Sequence, residues 1–390
     1  MKQALILMIL CTLHSCNRVT PLDDKIDVIF DTATSQYLYL KTILPEGRYP
    51  KTYHAKQDKL ETSRSGWWCS GFYPGTLLYL NENNTNPEFQ KEIDRILNDL
   101  KREQFNTTTH DLGFMMYCSF GNAERLTPSE SYKNILMNSA KSLASRFNDT
   151  VGCIKSWDSS NDDYLVIIDN MMNLELLFWA SKYSNDPKYY NIAVTHANTT
   201  MDNHFRHDFS SYHVINYNKN TGAVKQKRTA QGYSDDSAWA RGQAWGLYGY
   251  TVMYRETKDK RYLAQANGIA NFILNHPNLP KDMVPYWDFD APNIPEALRD
   301  SSAGAIIASA LLELKHYVDG ELTEKYNNAA ITILNTLTSD VYMANNNSNG
   351  GFLLKHGLGH MPQKTEIDVP LSYGDYYLVE AMMRYKHNRI

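Results

Sequence analysis

The sequence lacks the features that mark several large protein classes. It has no basic excess, because 39 Lys and Arg face 43 Asp and Glu for a net charge of −4, and this argues against general nucleic-acid binding. Its five cysteines follow no metal-binding spacing, and His204 and His207 are the nearest approach to a histidine ligand pair. It has no phosphate-binding glycine loop and no nucleophile elbow. The sequence therefore predicts a protein without a metal or cofactor.

The amino terminus has the pattern of an export signal. Lys2 precedes a short apolar run over residues 4–13, which is too short to span a membrane as a mature helix. Leu13-His14-Ser15-Cys16 resembles a bacterial lipobox, with cleavage before Cys16 and a lipid on its thiol. We expect a signal peptide over residues 1–15, one domain over 16–390, and a periplasmic or outer-membrane lipid-anchored protein of a Gram-negative bacterium. An ordinary secretory signal is the alternative.

Two kinds of apolar pattern alternate along the rest of the chain. Amphipathic runs with capping residues at their starts predict surface helices, and runs that are apolar nearly all round predict buried helices. The amphipathic runs cover 86–100, 128–147, 186–201, 259–274 and 323–337, and the buried runs cover 72–80, 112–120, 167–180, 244–254, 303–314 and 373–385. About six such pairs predict an all-α fold, an (α/α)6 barrel made of a double ring of helical hairpins. The alternative is an open helical repeat.

Polar and aromatic residues stand at the starts of the predicted inner helices. If these helices all point the same way, their starts meet at one mouth of the barrel. The residues that would converge there include Trp67, Trp68, His110, Asp111, Asp169, Arg241, Ser302 and Tyr373. The aromatic residues, 12% of the chain, suit the faces of sugar rings, although packing between helices explains them equally well.

Two aspartates are the candidate catalytic residues. Asp169 follows Leu165-Val166-Ile167-Ile168 and precedes Met171 and Met172, and apolar surroundings raise the pKa of a carboxyl group toward that of a general acid. Asp111 stands at the equivalent point of the preceding repeat. The alternative for both is an N-cap that accepts backbone hydrogen bonds, which would lower the pKa. Paired carboxylates are the usual equipment for chemistry at sugar bonds.

Arg241 needs an anionic partner on an otherwise apolar helix. A substrate carboxylate would suit its planar fork, and an internal salt bridge to Asp235 or Asp236 is the alternative. Trp67, Trp68 and Trp245 are candidates to stack on sugar faces, with helix packing as their alternative. The 355–364 segment carries two histidines and two lysines, which predicts either a sulfate contact at the same mouth or a solvated loop.

These motifs together resemble the unsaturated glucuronyl hydrolases of glycoside hydrolase family 88, over nearly all of the mature chain. The most specific stretch runs from Gln231-Gly232-Tyr233 through Ser237 to Gly246. The other motifs are His110-Asp111-Leu112-Gly113-Phe114, Asp169-Asn170-Met171-Met172-Asn173-Leu174, Asp300-Ser301-Ser302-Ala303 and the tail from Glu366 to Tyr377. One departure is Gly71-Phe72-Tyr73, where many relatives carry a second tryptophan after the first glycine.

The resemblance implies a metal-independent hydrolase that acts on fragments left by polysaccharide lyases. Such fragments carry a 4,5-unsaturated uronic acid at the non-reducing end. Similar enzymes hydrate this enol ether: C4 is protonated, water adds at C5, and the resulting hemiketal opens and breaks the glycosidic link. The carboxylate-separation rule for ordinary glycosidases therefore does not apply.

The resemblance also implies residue roles. Asp169 matches the general acid and base, and Asp111 matches the second aspartate. The residues implied to contact substrate are His110, His213, Gln231, Arg241, Trp245, Trp67, Trp68 and Ser302. The expected substrates are glycosaminoglycan oligosaccharides, with unsaturated rhamnogalacturonan fragments of pectin as the nearest alternative. A helical lipoprotein that binds sugar without turnover is a third hypothesis.

Overall fold

The computed structural model describes residues 22–159 and 162–387. The predicted signal peptide over residues 1–15 and the predicted lipidation site Cys16 lie outside these described residues. Within them the chain forms a double ring of helices, and the predicted (α/α)6 barrel is confirmed.

The helices divide into an outer and an inner ring. The outer helices expose one face: α1 (Leu22–Ile43), α3 (Pro87–Leu100), α5 (Glu130–Ala144), α7 (Pro187–His204), α9 (Lys260–Asn275) and α11 (Glu321–Leu337). The inner helices are α2 (Phe72–Asn83), α4 (Asn122–Leu126), α6 (Leu174–Ser184), α8 (Ala240–Thr257), α10 (Ser301–Leu314) and α12 (Ser372–His387). A π-helical segment, Gly113–Gly121, leads into α4, and a 3-10 segment, Ile168–Asn173, leads into α6.

The inner ring closes on itself, because α12 packs against α2 as well as against α10. This contact rules out the open helical repeat. The inner helices α2, α8, α10 and α12 are buried over most of their residues, as their all-round apolar sequences predict.

The first and last helices also meet. The Tyr37 hydroxyl donates to the Asp375 carboxylate at 3.1 Å. Lys386 Nζ lies 3.2 Å from Asp27 Oδ1, so the start of α1 sits beside the end of α12.

The outer helices begin where the capping residues predict. The side chains of Asn86, Ser129, Asp186 and Asp259 each accept a hydrogen bond from a backbone N–H in the first turn of the helix that follows. Helix α1 completes the outer ring and was not among the predicted amphipathic runs.

Short strands between the helices form small antiparallel sheets. The strands are β1 (Tyr49–His54), β2 (Lys59–Ser63), β3 (Phe147–Asn148), β4 (Cys153–Ile154), β5 (Asp163–Ile167), β6 (Val214–Asn218), β7 (Val224–Arg228), β8 (Gly357–His360) and β9 (Thr365–Val369). They pair as β1–β2, β3–β4, β5–β6–β7 and β8–β9. Sequence periodicity predicted none of them. The β1–β2 and β8–β9 hairpins contribute side chains to the cavity described below.

Two further features concern the cysteines and the membrane. Cys69, Cys118 and Cys153 are free thiols, with Cys118 only half-buried. Across residues 22–159 and 162–387, no helix combines the length and the apolar character that crossing a membrane requires.

Candidate active site

A cavity of about 580 Å³ opens at one mouth of the barrel. Trp68, Asp111, Asp169, Arg241 and Tyr373 line it, and each stands at or just before the start of a different inner helix or its leading segment. The prediction that the inner-helix starts meet at one mouth is therefore confirmed. The volume lies within the usual range of about 300–1,000 Å³ for small-molecule sites.

Asp169 is a buried carboxyl group at the floor of this cavity. It is the second residue of the 3-10 segment after β5, and its side chain is 11% exposed. Burial raises its pKa to about 7, against the opposing attraction of Arg241, and the nearby Asp111 raises it further. Its Oδ2 is buried and accepts no hydrogen bond from the described residues. The structure thus favours the general-acid interpretation over the N-cap.

His213 faces Asp169 from the position directly before β6. Its Nδ1 accepts the backbone N–H groups of Ala230 and Gln231, each at 3.1 Å. Burial, reinforced by Arg241, lowers the pKa of His213 well below its ordinary value, so the ring is neutral and carries its proton on Nε2. Nε2 lies 3.6 Å from Asp169 Oδ2. His213 does not line the cavity, so the structure does not place it where the expected contact with substrate requires, and neither its Nε2 nor Asp169 Oδ2 has a hydrogen-bond partner among the described residues.

Asp111 faces the cavity without capping a helix. Its Oδ2 accepts a hydrogen bond from the Thr109 hydroxyl at 2.9 Å, and its Oδ1 lies 3.2 Å from His110 Nε2. His110 Nδ1 donates to the Ser156 carbonyl at 3.0 Å, and burial lowers the pKa of its ring. Two carboxyl groups thus border one cavity: Asp111 accepts a hydrogen bond from a hydroxyl, whereas Oδ2 of Asp169 has no donor among the described residues.

Arg241 is held by four oxygen atoms. Its Nη1 donates to Asp300 Oδ2 at 2.7 Å and to the Leu358 carbonyl at 2.5 Å, and its Nη2 donates to Gln231 Oε1 at 2.9 Å and to the Gly359 carbonyl at 2.6 Å. The internal salt bridge therefore exists, but its partner is Asp300 and not the expected Asp235 or Asp236. The guanidinium still borders the cavity.

Ser302 lies one layer behind Arg241. Its hydroxyl donates to Asp300 Oδ1 at 2.6 Å, and it is fully buried without lining the cavity. The expected contact between Ser302 and substrate is wrong in this structure. Its role is to orient the carboxylate that holds Arg241.

The three candidate tryptophans divide between cavity and core. Trp67, which is 41% exposed, and Trp68 both line the cavity. Trp245 is fully buried between Phe114 and Tyr377, with ring-centre distances of 5.1 and 5.5 Å. Its placement contradicts a stacking role. Its indole lies close enough to lower the pKa of the Asp169 carboxyl, although its nitrogen makes no well-formed hydrogen bond.

The 355–364 segment reaches the cavity, but not through its lysines. Gly359, His360 and Gln363 line the wall, while Lys355 Nζ donates to the Asp340 carbonyl at the surface. The lysine that does line the cavity is Lys51, from β1.

Several lining residues escaped sequence reasoning. Lys51, Trp157 and Glu366 come from strands and loops, so no helix start marks them. Glu366 stood in a recognised motif, but nothing in the motif gave it a role. Within the described ranges, no group of three His, Cys, Asp or Glu side chains comes together as a metal site requires.

Comparison with known proteins gives the family. No family model matches the chain. The unsaturated glucuronyl hydrolase of Formosa agariphila is 46% identical over 345 residues, which cover 88% of this chain and 85% of the relative. The unsaturated chondroitin disaccharide hydrolase of Streptococcus pyogenes is 32% identical over 359 residues, covering 89% and 86%.

A solved structure indicates the same family as these two relatives. The crystal structure of an unsaturated glucuronyl hydrolase specific for heparin shares 46% identity and superposes with a TM-score of 0.91, over 94% of this chain and 99% of that one. With this identity over most of its length, and with two carboxyl groups and an arginine at the mouth of the shared double ring, the chain belongs to the unsaturated glucuronyl hydrolases of glycoside hydrolase family 88 and is a glycoside hydrolase.

Proposed function

We propose that the protein releases 4,5-unsaturated uronic acid from the non-reducing end of glycosaminoglycan oligosaccharides left by lyases. The observation that carries the proposal is the buried Asp169 carboxyl, whose pKa of about 7 keeps a substantial protonated fraction at neutral pH. An enol ether needs a proton donor of this kind, because protonation of C4 is the step that makes C5 electrophilic.

The proposed reaction balances around Asp169. Its carboxyl proton moves to C4, and the ring oxygen shares the positive charge that develops at C5. Water adds at C5 and returns its proton to the Asp169 carboxylate. The hemiketal then opens, and the anomeric link breaks to release the second sugar and an open-chain keto acid.

Neighbouring groups prepare Asp169 for this role. The neutral His213 ring lies 3.6 Å from Oδ2, which is beyond hydrogen-bond distance, and it adds no full charge that would depress the pKa of Asp169. Asp111 raises that pKa and offers acceptors to the sugar hydroxyls. In this arrangement Asp169 can alternate between acid and base.

Arg241 and Gln231 would hold the unsaturated sugar. Gln231 gives its amide oxygen to Arg241, while its amide nitrogen makes no hydrogen bond to the described residues and remains available to the substrate. Asp300 offsets part of the Arg241 charge, so Arg241 attracts a sugar carboxylate but does not bind it so tightly that product release is prevented. Trp67 and Trp68 provide apolar faces beside the ring.

A panel of unsaturated disaccharides tests the function. Loss of the ultraviolet absorbance of the conjugated double bond should occur with heparin-type and chondroitin-type disaccharides. The heparin type is expected to be faster, since the 46%-identical structure is specific for heparin. Turnover of pectin-derived rhamnogalacturonan disaccharides alone would refute the assignment to glycosaminoglycans.

We also propose that the protein is exported and lipid-anchored through Cys16. The support is the sequence pattern Leu13-His14-Ser15-Cys16. Metabolic labelling with a fatty acid should mark the wild-type chain in a Gram-negative host, and Cys16→Ser should abolish the label. Equal labelling of both would overturn the anchor.

A further inference from the structure

A second cavity lies within the barrel, toward the end opposite the catalytic groups. Its volume is about 300 Å³, at the lower end of the range for small-molecule sites. Its wall includes Tyr79 of α2, Trp179 of α6, Tyr248 of α8 and Glu380 of α12, all from the middle or later turns of their helices. Among the described residues, none lines both this cavity and the active-site cavity. The proposed hydrolysis therefore does not use this space, which we call the basal cavity.

The wall of the basal cavity is rich in aromatic side chains. Its aromatic lining residues are Tyr79, Tyr117, Trp179, Tyr248, Tyr376 and Tyr377. Tyr377 is only 2% exposed, and within the described chain its hydroxyl has the Cys118 thiol alone as a hydrogen-bond partner. Because a thiol is a weak hydrogen-bonding group, the Tyr377 hydroxyl remains able to bind a ligand. The basal cavity thus offers both apolar surface and a poorly satisfied polar group.

Glu175 brings a carboxyl group with one free oxygen to this cavity. Its Oε1 accepts a hydrogen bond from Arg255 Nη2, while its Oε2 accepts none from the residues that the structure describes. The side chain is 25% exposed, so a ligand in the cavity can reach it. Burial raises the pKa of Glu175 against the opposing attraction of Arg255, and the carboxylates of Glu313 and Glu380 raise it further. The surroundings of this carboxyl group are therefore short of positive charge.

Carboxyl groups outnumber guanidinium groups in the interior beside the basal cavity. Glu175, Glu313 and Glu380 share two arginines. Arg255 pairs with Glu175, and its Nη1 lies 3.1 Å from Glu313 Oε1. Arg384 Nη1 lies 2.9 Å from Glu313 Oε2, and its Nη2 lies 3.8 Å from Glu380 Oε1. One negative charge is left without a partner when all three carboxyl groups are ionised.

The pairs around this group do not remove the surplus. At the rim, Arg125 Nη2 lies 2.6 Å from Glu82 Oε2, so the two charges offset each other. Lys182 Nζ lies 2.5 Å from Glu256 Oε2 and likewise offsets that carboxylate. Glu124 adds a further carboxyl group to the wall. The balance of charge therefore attracts a cation into the basal cavity and repels an anion.

Aromatic faces at this end of the barrel already receive cations. The guanidinium carbon of Arg125 lies 5.6 Å from the centre of the Tyr79 ring, and that of Arg384 lies 5.1 Å from the centre of the Tyr248 ring. Trp179 lines the cavity and stacks on a neighbouring tyrosine. An ammonium group in the cavity would be attracted by such faces as well as by the Glu175 carboxylate.

We propose that the basal cavity is a second, non-catalytic binding site for a small organic cation, one that carries a single ammonium group on an apolar or ring-shaped body. The ammonium group donates to Glu175 Oε2, and the body of the ligand packs against the aromatic wall near Trp179. The one surplus carboxylate matches one positive charge, and the small volume favours a body of a single ring. The site is independent of the proposed reaction.

Calorimetric titration of the folded chain with cyclohexylammonium chloride at neutral pH tests this proposal. Cyclohexanol is the matched ligand, because it has nearly the same shape and no charge. One equivalent of cyclohexylammonium should bind per chain, with an affinity about tenfold or more above that of cyclohexanol.

Two variants alter the basal cavity itself. Glu175→Gln keeps the shape of the side chain and removes its charge, and it should weaken the binding of cyclohexylammonium about tenfold. Trp179→Leu removes an aromatic face and should weaken binding about fivefold. Because Trp179 is partly exposed, this second variant should fold even if Glu175→Gln does not.

Two other variants are controls. Glu313→Gln is the matched one, because Glu313 belongs to the same group of ion pairs but does not line the basal cavity; it should change the affinity about twofold at most. Asp111→Asn removes a carboxylate from the active-site cavity and should leave the affinity unchanged. Melting followed by circular dichroism shows whether each variant is folded.

The outcomes decide between a basal site and none. Selective binding of cyclohexylammonium that weakens in Glu175→Gln and Trp179→Leu, but not in the two controls, supports the site. Absence of binding, equal affinity for cyclohexanol, an unchanged affinity in either folded cavity variant, or an equal loss in Glu313→Gln or Asp111→Asn would overturn it. The turnover of unsaturated disaccharides tests the hydrolase separately and is unaffected by any of these results.

Discussion

Replacing Asp169 by asparagine should abolish activity and stabilise the fold at the same time. The side chain keeps its shape but loses its proton. Loss of a general acid typically costs about 10²- to 10⁴-fold in rate. Wild-type kcat/KM should fall as pH rises through about 7, where the Asp169 carboxyl loses its proton, and the residual rate of Asp169→Asn should lack this decline.

The stability effect follows from the same pKa. An aspartate with a pKa of about 7 in the folded state and 3.8 in the unfolded state is deprotonated first in the unfolded chain. Folding then takes up a proton between about pH 4 and 7, so this group makes the folded state less stable as pH rises through that window. At 1.36 kcal/mol for each of about 3 pH units, the cost reaches at most about 4 kcal/mol above pH 7.

Thermal or urea unfolding at pH 5 and pH 8 measures this cost. The free energy of unfolding of Asp169→Asn should exceed that of wild type by more at pH 8 than at pH 5. Asp300→Asn is the control, because Asp300 is also buried but is paired with Arg241, and the loss of its charge should destabilise the protein. A wild type as stable as Asp169→Asn at both pH values would refute the buried, poorly compensated carboxyl.

Three further predictions concern the supporting structure. Ser302→Ala removes the hydroxyl that orients Asp300 and should lower the free energy of unfolding by about 2 kcal/mol. It should also raise KM severalfold, because Arg241 would shift with Asp300, and an unchanged KM would contradict this. Trp67→Ala removes a half-exposed cavity face and should raise KM about threefold to tenfold with an unchanged melting temperature, as steady-state kinetics and calorimetry can show. Gly113→Ala places a Cβ 2.4 Å from the backbone of the 3-10 segment that carries Asp169, the proposed general acid. The variant should therefore unfold at a lower temperature, and an unchanged melting temperature would contradict the close approach.

The ring architecture was predictable because helix hairpins leave a local signal. Apolar periodicity and capping residues such as Asn86 and Asp186 mark each helix within the chain itself. The place of Asp111 and Asp169 in the cavity wall was predictable for a related reason, because each stands just before or within the segment that leads into a buried helix.

Contacts between residues far apart in the chain leave no comparable local pattern in the sequence. Arg241 finds its partner in Asp300, 59 positions away, and local sequence pointed to Asp235 and Asp236 because they are near in the chain. From the sequence, Trp245 is a candidate to stack on a sugar ring, but its position on the inner helix directs its side chain into the core. Lys51 and Glu366 lie on irregular hairpins, whose approach to the cavity depends on ring closure.

The contact between the first and last helices gives the proposed lipid anchor an expected side of attachment on the barrel. Helix α12 begins at Ser372, next to the cavity-lining Tyr373, and runs 16 residues to its end beside the start of α1. This is a distance of about 24 Å at 1.5 Å per residue. A lipid attached ahead of α1 would draw the blunt base of the barrel toward the bilayer. The opening would then look outward, where oligosaccharides arriving by diffusion could enter without passing between enzyme and membrane.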